Sequence, residues 1–249
     1  MGGRLLALVV VLTWPYCHPE RGEGFCWPAP TFAGEIPRFA RDDRRARDDR
    51  GARDDRGARD DTGPDWSRLA MDIHTETNLV RRSPAAYAKH LEAMLPRFEG
   101  KMLERPGRPT LRTEEGAAAV REAIAALRAR PPMQELRWSK GLAGATADHV
   151  KDQGPIGGLE HRGTDGSNPA RRADRRGRWV TAMAENIAFG DNPARQVVIQ
   201  LLVDDGVRDR GHRDNILDGR WGAEGAACGP HRDYRQICVM DYAVRYVEQ

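Results

Sequence analysis

The chain has 249 residues, with 40 Lys and Arg residues against 37 Asp and Glu residues and a formal net charge of +3. This length accommodates one large domain, or one ordinary domain with tails. The near balance of charge gives no electrostatic argument for a nucleic-acid partner, so none is expected.

The first residues have the pattern of a secretory signal peptide. Arg4 precedes the apolar run LLALVVVLTW, and Pro15 follows it. A positive residue, an apolar core and a break are typical of an export signal, although no A-x-A cleavage site follows the core. The run is short for a membrane span, and no other segment is apolar enough for one. We therefore expect residues 1–16 to be a signal peptide and the protein to be extracellular, secreted or associated with the cell envelope.

Residues 17–64 are expected to form a disordered linker. Its second part, residues 41–64, repeats a hexapeptide whose commonest form is RDDRGA. The repeat carries no large apolar side chain, so no buried surface can offset the entropy lost on folding. Calcium binding by the Asp residues is the alternative, but the neighbouring Arg residues cancel the carboxylate charge and EF-hand spacing is absent.

The folded domain is expected to span residues 65–249. Apolar residues recur at helical spacing in two stretches before residue 99, and Ser83 is a candidate N-cap with Pro84 as the first residue of the second helix. Residues 99–110 are rich in Gly and Pro, which predicts a loop.

Three further helices are predicted from their caps and apolar spacing. Thr113 is a plausible N-cap for the helix in TEEGAAAVREAIAALRAR, and Ser139 for the helix in SKGLAGATADHVKDQ. A short basic helix opens at Pro169, with Ser167 or Asn168 as its cap.

The last third of the domain mixes strands and helices. WVTAMAENIAFG is predicted to be extended, NPARQVVIQLLVDD to be a buried helix and GHRDNIL to be a short helix. Residues 221–247 alternate like two antiparallel strands around a polar loop at His231 to Arg235. Helices before and between a few late strands indicate an α+β layer fold with a mostly antiparallel sheet.

The four cysteines are Cys17, Cys26, Cys228 and Cys238. None forms a C-x-x-C pair, so a structural zinc site of the usual kind is not expected. Cys228 and Cys238 lie in the predicted hairpin. Because the N-terminus is typical of an exported protein, we expect a disulfide between them, with two buried thiols as the alternative.

The candidate functional residues are polar side chains at junctions between elements, since no P-loop, G-x-G-x-x-G, H-E-x-x-H or G-x-S-x-G motif is present. They are His161, Glu185, Asp204, Asp205 and His212. Two neutral imidazoles and two carboxylates are suitable ligands for zinc or another divalent ion, and the acids are also suitable for orienting the imidazoles. On spacing alone, the default interpretation is that His161 and His212 are unrelated surface histidines.

Four segments in order resemble a known family. NLVRRSPAAYA, HRGTDGSNPARR, AENIAFG and GHRDNIL, followed by a closing pair of strands, are similar to the CAP superfamily of cysteine-rich secretory proteins, antigen 5 and pathogenesis-related proteins, and to its bacterial secreted branch in particular. The resemblance covers roughly residues 70–246. It implies a three-layer α-β-α sandwich with an open cleft that carries two His and two acidic residues.

The first histidine, the first acid and the second histidine of that cleft fit His161, Glu185 and His212. The family often has a glutamate three residues after a tryptophan on the preceding helix. Leu201 takes the tryptophan position here, so Asp204 fits the second acid, with Asp205 as the alternative. Gly211 is expected to let the chain turn so that His212 faces inward. Residues 99–137 look like an insertion relative to compact members of the family.

The resemblance implies a non-enzymatic binding protein whose cleft takes up a divalent metal such as zinc and a lipid, small-molecule or cell-surface ligand. The alternative is a metal-dependent hydrolase or peptidase, with zinc on His161 and His212 and Glu185 as the candidate general base. A third hypothesis is a structural role, with the domain displayed on a stalk.

Other charged residues are assigned no site. The basic run comprises Arg171, Arg172, Arg175, Arg176 and Arg178, and it is expected to be a solvated helix face, with binding to an anionic surface as the alternative. The remaining histidines are expected on solvated faces or in loops; they are His18, His74, His90, His149 and His231.

Overall fold

The architecture comes from a computed structural model that describes residues 12–17, as a strand, and residues 63–249. Most of the predicted linker, including nearly all of its repeats, lies outside these residues. A five-stranded sheet runs through the middle of the domain; its strands in spatial order are β1 (Leu12–Cys17), β6 (Gly177–Phe189), β8 (Arg235–Glu248), β7 (Ala223–His231) and β5 (Arg137–Trp138). All neighbours are antiparallel except β5 and β7.

The described residues also form seven helices, which are α1 (Trp66–Arg82), α2 (Pro84–Glu92), α3 (Ala117–Ala129), α4 (Lys140–Ile156), α5 (Pro169–Asp174), α6 (Ala194–Val203) and α7 (Gly211–Leu217). After α2, a 3₁₀ turn at Leu95–Arg97 leads into a separate three-stranded antiparallel sheet formed by β2 (Phe98–Glu99), β3 (Met102–Arg105) and β4 (Arg108–Arg112).

Helices cover both faces of the five-stranded sheet. Successive residues of a strand point to opposite faces, so β6 contributes to two separate cores. Met183 packs with Leu142 of α4 on one face, whereas Ala184 belongs to the core that includes Ile199 of α6 and Ile216 of α7 on the other. The fold is therefore the predicted α+β, three-layer α-β-α arrangement with a mostly antiparallel sheet.

Several predicted helix starts are confirmed. Pro84 is the first residue of α2. The Ser139 hydroxyl accepts a hydrogen bond from the backbone N–H of Leu142 at 3.1 Å and so caps α4. At the start of α5 the cap is Asn168, whose side-chain oxygen accepts from the backbone N–H of Arg171 at 2.9 Å.

The loop predicted for residues 99–110 is wrong, because that stretch forms most of the three-stranded sheet. Gly100 and Gly107, with φ of 58° and 71°, occupy the tight turns between its strands. Glycine there marks hairpin turns rather than a structureless connection. Thr113 does not cap α3, which begins at Ala117. Its hydroxyl instead accepts from the backbone N–H of Gly116 at 3.1 Å.

The C-terminal hairpin and its disulfide are confirmed. Cys228 of β7 lies directly opposite Cys238 of β8. The two residues are joined by a disulfide with their Cα atoms 4.1 Å apart. The hairpin closes with His231 opposite Arg235, so the polar loop lies where the alternation of the sequence predicts it.

A buried arginine ties α1 to the far end of the domain. Arg81 is fully buried. Its guanidinium donates to the carbonyl oxygens of Gln134 at 3.0 Å, Ile216 at 2.9 Å and Asp218 at 2.9 Å. Burial lowers the pKa of Arg81. One side chain thus holds the segment before β5 and the end of α7 against α1.

Strand β1 overlaps the predicted signal peptide. It pairs with β6, with Leu12 opposite Ile187 and Cys17 opposite Ala182. The removal of residues 1–16 on export stays a prediction. No helix within the described residues combines the length and apolar character required to cross a membrane.

Candidate functional site

His161, Arg172 and Glu185 form a polar cluster between β6 and α5. His161 lies in the loop after α4, and its Nδ1 is 2.7 Å from Oε1 of Glu185 on β6. Arg172 of α5 donates to the other carboxylate oxygen of Glu185 at 2.5 Å and to the backbone carbonyl of His161 at 2.9 Å. Both oxygens of the Glu185 carboxylate are therefore engaged.

The Glu185 carboxylate is held ionised. Complete burial by itself would raise its pKa, but the hydrogen bond with His161 and the positive charge of Arg172 outweigh burial and keep the pKa well below its usual range. An ionised carboxylate only accepts hydrogen bonds. The Nδ1 atom of His161 therefore carries the proton that it shares with Glu185.

A second buried carboxyl group, Asp241, adjoins this cluster. Asp241 of β8 lies directly opposite Glu185 of β6 and is fully buried. Burial and the negative charge of Glu185 raise the pKa of Asp241 well above its usual range, against the opposing effect of Arg172. These effects favour the protonated form of Asp241. The sequence signal for it was a single acid within the apolar run ICVMDYAV.

His212 and Asp204 form a separate pair. Nδ1 of His212 is 2.6 Å from Oδ1 of Asp204, and the backbone N–H of His212 donates to Oδ2 at 3.0 Å. Both side chains are fully buried. Asp204 ends α6 in the left-handed conformation, with φ of 55°. The turn into α7 is made by Arg210, with φ of 53°, and not by Gly211 as predicted.

Asp205 has a different role from Asp204. Its carboxylate accepts from the backbone N–H groups of Glu114 at 2.6 Å and Glu115 at 2.9 Å. It thereby holds the turn before α3, whereas the hydrogen bonds of His212 go to Asp204. Of the two candidates for the second acid, the structure places Asp204 beside the histidine.

The two histidine–carboxylate pairs lie on opposite faces of β6. Glu185 faces α5, whereas the side chain of the next residue, Asn186, donates to the backbone carbonyl of His212 at 3.1 Å. Consecutive strand residues point to opposite faces, so the sheet separates Glu185 from His212. The structure therefore brings together His161 with Glu185 and Asp204 with His212, but it does not bring the four residues into one cluster.

The predicted set of residues does not fit a shared zinc ion. Protein zinc sites use three or four ligands that converge on one point. Glu185 and the backbone of His212 lie on opposite faces of β6, and because the Nδ1 atom of each histidine is held by its carboxylate, only the Nε2 atoms could ligate a metal. Within the part of the chain that the structure describes, no three His, Cys, Asp or Glu residues are grouped so as to hold a metal ion.

A third buried pair involves a histidine to which no role was assigned. Nδ1 of His74 on α1 is 2.6 Å from Oε2 of Glu224 on β7. His149 is also buried, and not solvated as predicted; its Nε2 is 2.8 Å from the carbonyl oxygen of Glu160. Burial is the main reason why the pKa of His149 is lowered. A usable signal was the helical spacing of His74 with the buried Ala70 and Thr77.

The basic run divides into exposed and buried members. Arg175 and Arg176 are exposed, as predicted, and pair with Asp165 at 2.8 Å and Asp148 at 2.6 Å. Arg172 is buried against Glu185, so its assignment to a solvated face was wrong. On a short helix packed against a sheet, one position in each turn must face inward. The composition of the basic run alone does not identify which arginine faces inward.

The fold and the buried pairs define a disulfide-linked α-β-α sandwich in which histidine–carboxylate pairs lie on both faces of the sheet. The sequence profile of the cysteine-rich secretory protein family, called CAP, matches residues 121–242. This match to the region that holds three of the four ordered segments confirms the resemblance to the family that those segments predicted.

Solved structures with some similarity include an outer surface protein of Borrelia burgdorferi, with 15% identity, a TM-score of 0.39 and coverage of 47% of this chain and 80% of that chain. Another is an extracellular protein of Bacillus anthracis that contains an SCP domain, with 19% identity, a TM-score of 0.35 and coverage of 45% of this chain and 34% of that chain. A search of curated protein sequences gave no match.

Proposed function

We propose that the chain is an exported, non-enzymatic binding domain. The observation that carries this proposal is that each predicted site residue is buried and paired within the framework. Glu185, the candidate general base, is fully buried, and its two carboxylate oxygens are occupied by His161 and Arg172. A general base must reach a substrate proton, and a carboxyl group with a strongly lowered pKa is a weak base.

The hydrolase alternative has no comparable support. It requires a zinc ion held by His161 and His212 together, and no group of three His, Cys, Asp or Glu residues that could hold a metal lies among the described residues. The pairs instead connect layers of the fold: His161 with Glu185 joins a loop to the sheet, and His212 with Asp204 joins α7 to α6. In this proposal they stabilise the scaffold, and the ligand binds elsewhere.

Export is supported by two features. The disulfide between Cys228 and Cys238 is of a kind that persists in oxidising compartments. The N-terminal apolar run has the length and flanks of a signal peptide. A mass measurement on protein recovered from the culture medium of an expressing bacterium tests this part. We expect a mature chain that lacks residues near 1–16, and full-length protein retained inside the cell would contradict export.

Turnover and zinc binding test the non-enzymatic part. The full chain and its variants His161→Ala, His212→Ala and the double variant are compared, with the exposed His90→Ala as the control. We expect no turnover of a peptide and ester library by any of them. Calorimetric titration with Zn²⁺ should show no site that both single variants abolish. Hydrolysis that disappears in both His161→Ala and His212→Ala, but not in His90→Ala, would overturn the proposal. Circular dichroism identifies any variant that is unfolded.

A further inference from the structure

A surface groove lies between α3 and α7, and neither histidine–carboxylate pair contributes to its lining. Its volume is about 550 Å³, which lies within the range of small-molecule sites. The apolar part of the lining comprises Ala126 and Ala129 of α3, Pro131 just after that helix, and Leu217 of α7. The two alanines are small, so they leave space between the helices for another molecule.

Ion pairs hold the two walls of the groove together. Glu122 of α3 accepts hydrogen bonds from Arg210 at 2.8 Å and from Arg213 of α7 at 2.6 Å. The hydrogen bond from Arg210 is the main reason why the pKa of Glu122 is lowered to about 2. Arg210 also donates to Glu115 at 2.6 Å. Two arginines are thus matched by two carboxylates, and these contacts shape the groove without help from a ligand.

Charged groups of opposite sign remain in the lining. They are the guanidinium of Arg130 and the carboxylates of Asp209 and Asp214. Among the described residues, the side chains of Arg130 and Asp214 form no hydrogen bond or ion pair, either with each other or with a third residue. They lie near enough for the charge of Arg130 to act on Asp214, but too far apart to pair.

The Asp214 carboxyl is partly removed from water. Partial burial is the main reason why its pKa is raised, and the positive charge of Arg130 is the largest effect that opposes burial. The negative charge of Asp209 adds to the rise in the pKa. A partly desolvated carboxylate without a partner favours a cationic group beside it, and a nearby guanidinium favours a carboxylate. The groove is therefore suited to a molecule that carries both charges.

We propose that this groove binds a free aliphatic α-amino acid, whose ammonium group pairs with Asp214 and whose carboxylate pairs with Arg130. The side chain of the amino acid packs against Ala126 and Leu217. This inference names a ligand class for the proposed binding domain and rests on that function. An α-amino acid carries both charges on one carbon atom, so one small molecule provides a partner for both protein groups.

Calorimetry with three related ligands tests the ligand class. The full chain is titrated at about pH 6.5, where an α-amino group is protonated. The ligands are L-leucine, L-leucinamide, which lacks the carboxylate, and N-acetyl-L-leucine, which lacks the ammonium group. We expect leucine to bind at least about fivefold more tightly than either analogue, because each analogue loses one charge-assisted hydrogen bond at a partly exposed site. Equal affinity for the three ligands would overturn the proposal.

Two substitutions test which protein group takes which charge. Asp214→Asn should weaken leucine and leucinamide about fivefold and leave N-acetyl-leucine unchanged. Arg130→Gln should weaken leucine and N-acetyl-leucine by a similar factor and leave leucinamide unchanged. Arg121→Gln, at an exposed position of α3 outside the groove, is the matched control and should change none of the three. Equal losses for all three ligands in either groove variant would contradict the assignment.

A bulky side chain tests the location. Ala129 is exposed, so Ala129→Trp should fill the groove from α3 and abolish leucine binding without unfolding the chain. Ala118→Trp, at an exposed position near the start of the same helix, is its control and should bind leucine normally. Circular dichroism checks that both variants are folded. Leucine binding that survives in a folded Ala129→Trp variant would place the ligand elsewhere and overturn the proposal.

The remaining outcomes separate this inference from the proposed function. Tighter binding of the dipeptide leucylglycine than of leucine would overturn the free amino acid in favour of a peptide. Absence of leucine binding would overturn the groove assignment, yet would leave the non-enzymatic assignment intact, because that rests on His161, Glu185, Asp204 and His212. Hydrolysis dependent on those residues, with normal leucine binding, would give the reverse result.

Discussion

Glu185 and Asp241 face each other across β6 and β8 with both carboxyl groups fully buried, and their pKa values are shifted in opposite directions. Arg172 and His161 keep the pKa of Glu185 low despite burial, whereas burial and the Glu185 charge raise the pKa of Asp241. The lowered pKa of Glu185 favours its ionised form beside the Arg172 guanidinium, whereas the raised pKa of Asp241 favours its protonated form. This charge balance makes two buried acids tolerable in the middle of a sheet.

Asp241→Asn should make the protein more stable above neutral pH. In the wild type, the unfolded chain releases the Asp241 proton above about pH 3.9, whereas the folded chain retains it, so stability falls as pH rises from that value through the raised pKa. Asparagine cannot ionise, so the variant lacks this loss. Urea unfolding at pH 4 and pH 8 measures the free energy of unfolding of the wild type and of the variant. We expect a gain of at least about 1 kcal/mol at pH 8, the worth of one pKa unit, and little gain at pH 4. An unchanged pH slope would contradict the assignment.

Arg172→Met should be strongly destabilising, because it leaves the buried Glu185 carboxylate without its guanidinium partner. Breaking a buried ion pair in this way costs about 3–5 kcal/mol. The stability that Glu185 contributes is present above its unfolded pKa of about 4.3 and is lost as pH falls through its lowered folded pKa. The penalty measured by urea unfolding should therefore be larger at pH 7 than at pH 3.

The neighbouring Arg171→Met is the control for that experiment, since Arg171 is exposed on the same helix. Its effect should stay within about 0.5 kcal/mol. If the two substitutions had equal effects, the guanidinium of Arg172 would not be holding the Glu185 charge.

Asp204→Asn should cost about 1–3 kcal/mol, because an amide has one oxygen in place of the two that accept from His212. Asparagine tolerates the left-handed backbone at this position, so strain adds little. The exposed Asp214→Asn on α7 is the comparison. Urea midpoints give the cost, and the NMR resonance of the His212 Nδ1 proton should shift only in Asp204→Asn. Equal midpoints for the two variants would show that the buried pair does not stabilise the junction between α6 and α7.

Replacing Cys228 and Cys238 together by Ala should lower stability by about 2–4 kcal/mol, the usual contribution of a disulfide. The hairpin itself should persist, because it continues on both sides of the bridge. The native protein should not gain mass on alkylation without reductant at these positions, and a cross-linked Cys228–Cys238 peptide should appear after digestion. Ready alkylation of both thiols would disprove the bridge.

The regular parts of this fold were accessible from sequence because their signals are local. Caps such as Ser139 and Asn168 act on backbone N–H groups three residues away, and the alternation around the hairpin that carries Cys228 and Cys238 has a period of two residues. The sheet formed by residues 98–112 was missed, since its short strands and turn glycines look the same as a loop when each is considered without its partners.

The sequence predicted which residues belong to the candidate site but not how they are arranged in space. His161, Glu185, Asp204 and His212 were identified from motifs, and each belongs to a hydrogen-bonded histidine–carboxylate pair. Their division between the faces of β6 depends on which of two consecutive residues, Glu185 or Asn186, points towards which helix. That choice is made by tertiary packing and not by spacing. Arg172 and Asp241 were missed for the same reason, because Arg and Asp usually lie at the surface and tertiary packing buries them here.

The position of Arg81 bears on where the chain can be cut. This residue lies before residues 121–242, yet its guanidinium is anchored on carbonyl groups within them, at Gln134, Ile216 and Asp218. A fragment trimmed to the family boundaries would lose α1 and expose those acceptors together with the apolar surface that Ile73 covers. We therefore expect a fragment that folds by itself to extend N-terminally at least as far as α1, more than fifty residues before the family match begins.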